Sequence, residues 1–403
     1  MRMIRILVAA LLAAGGGAEA LAEDQPKFDL SKGGPTFQSG NNSLTIGARV
    51  QLRYTADDRE EFDADLVGEG DGEEDGLSHS FDIARMRVGF KGGMWKPWLK
   101  YEFQFEFNRT SGDSSSKVKD AYLEFDRAKL ATLRVGQFKT PFSLQELISS
   151  GRQQFVDRAI TNLKFAPARD TGVMLTGVTD EKFFGYAAGI FNGSGESRAQ
   201  DDEGLLYVGR VWFDPLGEYK LAESALDHPE EPILHFGLGL RTGEVTRGLS
   251  SVGVFEEPND ETAYNLEFAY RQKWFSATAE YFGMSDEQEN PTSADDVDSN
   301  GWHAQVGFMV VPKKFELGLR YAAIEPDESV DDADVTETRL VAGYYWQGHN
   351  LKLQGDVGQV ELGENFDTVS PIVGRGLPLL IGRLVTGEEL TDRVVRVQVQ
   401  LAF

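Results

Sequence analysis

Residue types that carry out acid–base or metal chemistry are sparse in this sequence. The five histidines, His79, His228, His235, His303 and His349, are scattered, and none sits at a metal-ligand spacing. Cysteine is absent, which excludes disulfides, thiolate nucleophiles and thiolate metal sites. A hydrolase would need a nucleophile or water activated by histidine or paired carboxylates. A fold that carries His235 to a serine could still supply that. No phosphate-cradling glycine loop and no basic nucleic-acid patch stands out. Asn108-Arg109-Thr110 and Asn192-Gly193-Ser194 match a glycosylation pattern and read as strand-end turns. What the sequence does repeat is apolar residues alternating with polar or charged ones, among them arginines and lysines such as Arg49 and Arg53. Rows of fixed cations hold or pass anions.

The elements that would carry those cations are strands. Leu44, Ile46, Ala48, Val50, Leu52 and Tyr54 alternate with Thr45, Gly47, Arg49, Gln51 and Arg53. Leu99, Tyr101, Phe103, Phe105 and Phe107 alternate with Lys100, Glu102, Gln104 and Glu106. A period of two gives one apolar face and one charged face. Sixteen such segments are expected, at 44–54, 81–91, 98–108, 118–126, 131–138, 171–177, 183–192, 204–214, 233–243, 262–271, 273–283, 301–311, 314–324, 336–347, 349–360 and 393–403. Their lengths match the ~9–11 residues that cross a bilayer at a tilt. A closed barrel satisfies every backbone donor and acceptor, as strands in lipid require. Connections alternate between short turns and long loops, the pattern of outer-membrane barrels. The turn at 215–232 is longer than this pattern wants. The fold class expected is all-β: a sixteen-stranded antiparallel transmembrane barrel.

The N-terminus reads as a signal peptide over 1–22, leaving a barrel domain over 23–403. Arg2 and Arg5 precede a short apolar run, and Ala20-Leu21-Ala22 fits the cleavage pattern. An uncleaved anchor is the alternative. Net charge is −25, and the acids concentrate in loops 55–80, 284–300 and 325–335. These are either solvated loops or sites for divalent cations bridging to lipopolysaccharide; no EF-hand spacing occurs. The chain ends with Val395, Val397, Val399, Leu401 and Phe403 on one face. A terminal strand ending in an aromatic resembles the signal read by the barrel-assembly machinery.

If the apolar face meets lipid, the other face lines a lumen. Its cations would be Arg49, Arg53, Arg85, Arg87, Lys91, Lys100, Arg134, Arg210, Arg241, Arg271, Arg320, Arg339, Lys352 and Arg396. Its acids would be Glu102, Glu106, Asp120, Glu124, Glu267, Glu280, Glu316 and Asp356. That wall either favours anions or pairs its charges across strands. The faces can slip near Asp82 and Gly136, where alternation breaks. The third long loop, 139–170, differs from the others. Pro141 and Ser143 start a helix-like stretch over 143–148, with Lys139, Arg152, Arg158, Lys164 and Arg169 nearby. Folding into the barrel and narrowing it is the expectation; an external cap is the alternative.

At these residues a family becomes visible. Arg134-Val135-Gly136-Gln137-Phe138-Lys139-Thr140-Pro141-Phe142-Ser143-Leu144 resembles the phosphate-selective porins O and P, as does Lys119-Asp120-Ala121-Tyr122-Leu123-Glu124-Phe125. Ser149-Ser150, Phe155-Val156-Asp157-Arg158, Ala168-Arg169-Asp170-Thr171-Gly172 and Gly189-Ile190-Phe191-Asn192-Gly193 add to it, with order and spacing agreeing from about residue 80 to 215. The resemblance implies a homotrimeric porin with an inward third loop, an arginine ladder and a lysine-bearing constriction. Lys139 falls in the constriction loop, and Arg85, Arg87, Asp120 and Tyr122 fall on walls near it. With Arg49, Arg53, Lys91 and Arg134, these make the pore-lining, anion-binding set. Acidic external loops depart from what a phosphate-selective relative would carry.

The expected function is passive diffusion of small hydrophilic solutes across the Gram-negative outer membrane, with anions such as phosphate preferred. It calls for no cofactor, metal or nucleic acid. A weakly selective or cation-preferring general porin is the alternative, and a barrel enzyme or a blocked adhesin are rivals from other classes. Sixteen strands leave a channel where eight do not.

Overall fold

A computed structural model describes residues 27–29, 34–59, 77–107, 116–198, 204–245, 259–287, 296–366 and 389–403. The signal-peptide segment and much of the acidic loops 55–80 and 284–300 lie outside the described residues.

Two short strands, β1 (Lys27–Asp29) and β2 (Thr36–Ser39), precede the barrel. The first eight barrel strands are β3 (Asn42–Arg59), β4 (Leu77–Met94), β5 (Lys96–Phe107), β6 (Ser116–Ala128), β7 (Ala131–Lys139), β8 (Arg169–Val178), β9 (Phe184–Phe191) and β10 (Leu206–Phe213). The other eight are β11 (Ile233–Val245), β12 (Asn259–Gln272), β13 (Phe275–Glu287), β14 (Val297–Val311), β15 (Phe315–Glu325), β16 (Val335–Tyr345), β17 (Leu351–Leu362) and β18 (Leu390–Ala402). Each pairs antiparallel with the next, and β18 pairs with β3, so the sheet closes into a sixteen-strand barrel. Each of the sixteen expected segments overlaps one of these strands. β1 and β2 were not anticipated, because three or four residues are too few to show a period.

Closure is made by the end of the chain. The Ala48 amide donates to the Phe403 carbonyl and the Phe403 amide donates to the Ala48 carbonyl, both at 3.0 Å. Thus the terminal aromatic fills the last rung of the seam. The outward faces are apolar and exposed, as at Leu240, Leu266, Leu340 and Val397, which is the arrangement lipid requires. Trp95, Trp274 and Trp346 stand exposed at the short-turn end, forming an interfacial aromatic girdle there.

Alternation breaks near the places where slippage was expected. Gln51 pairs with Arg85 but Leu52 pairs with Ile83, so Ala84 is an extra residue in β4. This bulge lets Phe81 and Ile83 face out while Arg85 and Arg87 face in, although all four numbers are odd. In β7, Gly136 adopts φ +130, and both Gln137 and Phe138 are buried after it. A Cβ at 136 would collide with the Ala121 carbonyl of β6.

The lipid face sets a stability test. Val397 is exposed mid-strand between Tyr54 and Gly355. Val397→Arg should destabilise the barrel by about 2–4 kcal/mol, read by urea unfolding in lipid vesicles. An unchanged midpoint would mean that this face does not meet hydrocarbon.

Candidate functional site

The third long loop, L3 (residues 140–168), lies inside the barrel and is almost wholly buried. It carries two short helices, α1 (Leu144–Leu147) and α2 (Ile160–Phe165). The Ser143 hydroxyl accepts from the Glu146 amide at 3.2 Å and caps α1. The other α1 donors are satisfied from across the lumen: Glu280 of β13 accepts from the amides of Leu144 and Gln145, each at 2.8 Å. The Lys139 ammonium turns back onto the far end of α1, donating to the carbonyls of Glu146, Leu147 and Ile148. Arg158 joins it on Gln145, Glu146 and Ile148. α2 had no expectation in the sequence, since Ile160-Thr161-Asn162-Leu163 shows no period.

The strongest anchor of L3 is Asp157. Arg53 of β3 grips it at 2.8 and 3.0 Å, Arg85 of β4 at 3.0 Å, and Arg396 of β18 at 2.8 Å. Burial alone would raise this carboxyl, but Arg53, Arg85 and Arg396 together hold it well below the usual carboxylate range. Arg49 donates to the hydroxyls of Ser149 and Ser150 at 3.1 and 3.0 Å. On the opposite wall Arg320 donates to the Asp157 and Arg158 carbonyls. Lys352 donates to the Gln153 carbonyl, and Asp356 accepts from the Val156 amide.

The long turn between β10 and β11, residues 214–232, also folds into the barrel. Glu223 accepts from the Gln154 amide at 2.6 Å and from the Gln145 side chain at 3.1 Å. Ser224 donates to Glu316 at 3.0 Å, and Asp227 pairs with Arg271 at 2.8 Å. Its extra length is a buttress beneath L3. The L3 contacts with β3, β4 and β11–β18 and the buttress together fill one side of the lumen. The other side, toward β4–β11, keeps a cavity of about 610 Å³.

Of the sequence-selected residues, Arg87, Asp120, Tyr122, Arg134 and Lys139 line that cavity. Arg49, Arg53 and Arg85 do not line it; they hold L3. Lys91 is exposed on β4, opposite Glu102. Most wall arginines are paired. Arg87 binds Glu106 at 3.1 and 3.2 Å, Arg134 binds Glu124 at 3.2 and 2.6 Å, and Arg169 binds Asp120 at 3.0 and 2.9 Å. Arg241 pairs with Glu261, and Arg320 and Arg339 share Glu337. Glu261 and Glu337 belong to the lumen wall but were missing from its expected acids. Glu261 falls one residue before the expected segment 262–271, whereas Glu337 lies inside 336–347, two residues from Arg339 on the same face, and was not counted there.

His235 sits in the same wall. Its Nδ1 lies 2.6 Å from Asp214 and its Nε2 3.2 Å from Glu267, which Arg210 also binds. Both ring nitrogens face carboxylates, so neither is left to activate a serine.

A sequence profile described as phosphate-selective porin O and P matches residues 49–365, well over half of the chain. The chain belongs to that family. The barrel is therefore a protein of the Gram-negative outer membrane. A relative, an uncharacterized protein of Aquifex aeolicus (strain VF5), is 24% identical over 274 residues, 59% of this chain and 61% of that protein. The match thus spans about three fifths of its length.

Solved porins share the fold at low identity. An anion-selective porin from Comamonas acidovorans superposes with TM-score 0.58 at 14% identity, covering 90% of this chain and 100% of that one. OmpT of Vibrio cholerae, in trimer form, gives 0.54 at 12%, covering 89% and 99%. Salmonella typhi OmpF, in complex with daunomycin, gives 0.56 at 12%, covering 91% and 100%.

The porin's loop clasp makes a prediction. Removing one partner from a buried charge cluster costs about 3–5 kcal/mol. Asp157→Asn should loosen L3, giving noisier single channels and a stronger anion preference, because three guanidiniums lose their counter-charge. The folded value of Asp157 is depressed, so its contribution is present above the ordinary aspartate value of ~3.9 and lost only as pH falls through the lower folded one. The difference between D157N and wild type should then be equal at pH 7 and pH 4.5. A difference that vanishes at pH 4.5 would mean Asp157 is already protonated there.

Proposed function

We propose that this porin passes small hydrophilic solutes by passive diffusion and prefers anions, phosphate among them. The observation that carries this reading is the charge around the open cavity. Arg87, Arg134, Lys139, Arg169, Lys182 and Arg210 face it against Glu102, Asp120, Asp214 and Glu218, six cations to four carboxylates. In a narrow low-dielectric passage that surplus raises local anion concentration, while the carboxylates keep any one anion from being held. The anion selectivity named for the Comamonas porin points the same way. The sequence-selected set, Arg49, Arg53, Arg85, Arg87, Lys91, Asp120, Tyr122, Arg134 and Lys139, divides in this reading into residues that meet solute and residues that set the loop.

The pairing of wall arginines with carboxylates also favours a second reading, a weakly selective or cation-preferring general porin with acidic external loops governing entry. Channel transport needs no catalytic group, and we read the chain as non-enzymatic. Residues 1–22 are read as a cleaved signal peptide. Assembly is read as a homotrimer, in line with the trimer form named for OmpT, and Phe403 as the mark read by the assembly machinery. Outer-membrane lipid and lipopolysaccharide are its surroundings.

Reversal potential in a planar bilayer under a KCl gradient tests the proposal. The expected outcome is anion selectivity, with phosphate reducing the chloride current. Cation selectivity without phosphate block would overturn it in favour of the second reading.

The buttress gives a further expectation. Glu223→Ala removes two acceptors from L3 and should raise single-channel conductance while leaving the unfolding midpoint of the barrel nearly unchanged. Unchanged conductance would mean that L3 holds its place without the turn.

A further inference from the structure

The short-turn end of the barrel carries free cations. Lys273 is exposed in the turn between β12 and β13, and Lys313 and Lys314 are exposed in the turn between β14 and β15. Two strand spacings, about 10 Å, separate these turns. The Met309 amide donates to the Trp274 carbonyl at 2.7 Å, and the Tyr345 amide donates to the Lys314 carbonyl at 2.8 Å, so the β16–β17 turn is tied in as well. None of the three lysines is ion-paired among the described residues. Elsewhere on this rim Lys129 binds Asp180 at 2.8 Å and Lys182 binds Glu218 at 2.9 Å. The neighbouring acids are Glu230, which faces His228 at 3.9 Å, and the exposed Glu231, both on the β11 side of Lys273.

The backbone gives way to these side chains. Lys273 and Lys313 hold φ +50 and +59, the left-handed region that glycine enters most easily. In the β16–β17 turn Gly348 takes that conformation at φ +55. A lysine there sacrifices backbone energy and gains an ammonium at the rim. Below the lysines the outer wall is aromatic: Trp274, Phe275, Phe308, Tyr344 and Trp346 are exposed, and Tyr344 meets Trp346 edge-on with ring centroids 4.9 Å apart. At the opposite end of the same sector the charge is reversed, since the β15–β16 loop carries Asp327, Glu328, Asp331, Asp332 and Asp334.

We infer that the β12–β17 sector of this rim binds anionic glycerophospholipids, with headgroup phosphate oxygens on Lys273, Lys313 and Lys314 and acyl chains against the aromatic shelf. The inference rests on the lipid-facing wall and is independent of which solute the channel passes. A free phosphate ion would meet only solvated ammoniums, whose attraction is screened by salt. A lipid supplies both halves of the match, an anion at the interface and hydrocarbon below it. Lysine stems reach from the apolar wall to the headgroup level. A zwitterionic headgroup brings its own cation and so gains less from the lysines, and the acidic loop end repels the anionic one.

The test uses the full-length protein in micelles doped with equal amounts of phosphatidylglycerol and phosphatidylcholine, with retained lipid read by native mass spectrometry. One lysine near an anionic headgroup is worth about fivefold in partitioning, so phosphatidylglycerol should be retained at least about fivefold over phosphatidylcholine. The combined variant Lys273→Asn, Lys313→Asn and Lys314→Gln should bring the two lipids to within about twofold, asparagine being tolerant of the left-handed turn. Lys129→Gln, whose lysine is already paired, should leave the preference unchanged. Equal retention in wild type would overturn the inference even if the combined variant fails to assemble, and so would a preference that survives in that variant. Displacement of phosphatidylglycerol by millimolar inorganic phosphate would assign the lysines to the free ion and overturn the lipid site.

Discussion

A guanidinium taken out of water needs a counter-charge. That requirement organises the interior of this barrel more than the demand for an open passage does. Arg241, Arg320 and Arg339 are almost fully buried, and each meets a carboxylate. At Asp157 the relation is inverted: one carboxylate serves three arginines, and its backbone is fixed by a fourth from the far wall. The loop bearing it cannot leave the lumen without uncovering all of them. The constriction is thus a consequence of charge compensation, and the passage is what remains once L3 and the β10–β11 turn have docked.

The strands were legible because lipid imposes a strict condition on every second residue. Leu99 to Phe107 shows it plainly, and so does the terminal run to Phe403. Bulges are less visible, yet the two breaks noticed near Asp82 and Gly136 correspond to an inserted Ala84 and a positive-φ glycine. The length of 215–232 was noticed without an explanation. Its reason lies in contacts to Gln145, Gln154 and Arg271, which are remote in sequence.

The candidate site was legible only in part. Residue type and face single out Arg53 and Arg85 as readily as Arg87 and Arg134, since all four are inward arginines. What separates them is where L3 comes to rest, and that depends on Asp157, a loop acid with no periodicity to mark it. The apolar part of the β8–β10 lining was also hidden. Strands with Met174 or Trp212 facing in and Val173 or Val211 facing out carry little contrast between faces, so period two places the strands without revealing the chemistry of the wall.

The Asp157 clasp has a consequence for how the chain assembles. Arg53 and Arg396 belong to the first and last barrel strands, and the bond from Arg53 to Gln398 nearby joins residues 345 apart in sequence. Contacts of such separation are the slowest to form. A carboxylate from mid-chain that holds both edges spans the seam from within, as a basting stitch holds cloth before the final sewing. Loop docking and circumference then belong to one cooperative event, and a vacant lumen would be a property of an unfinished barrel.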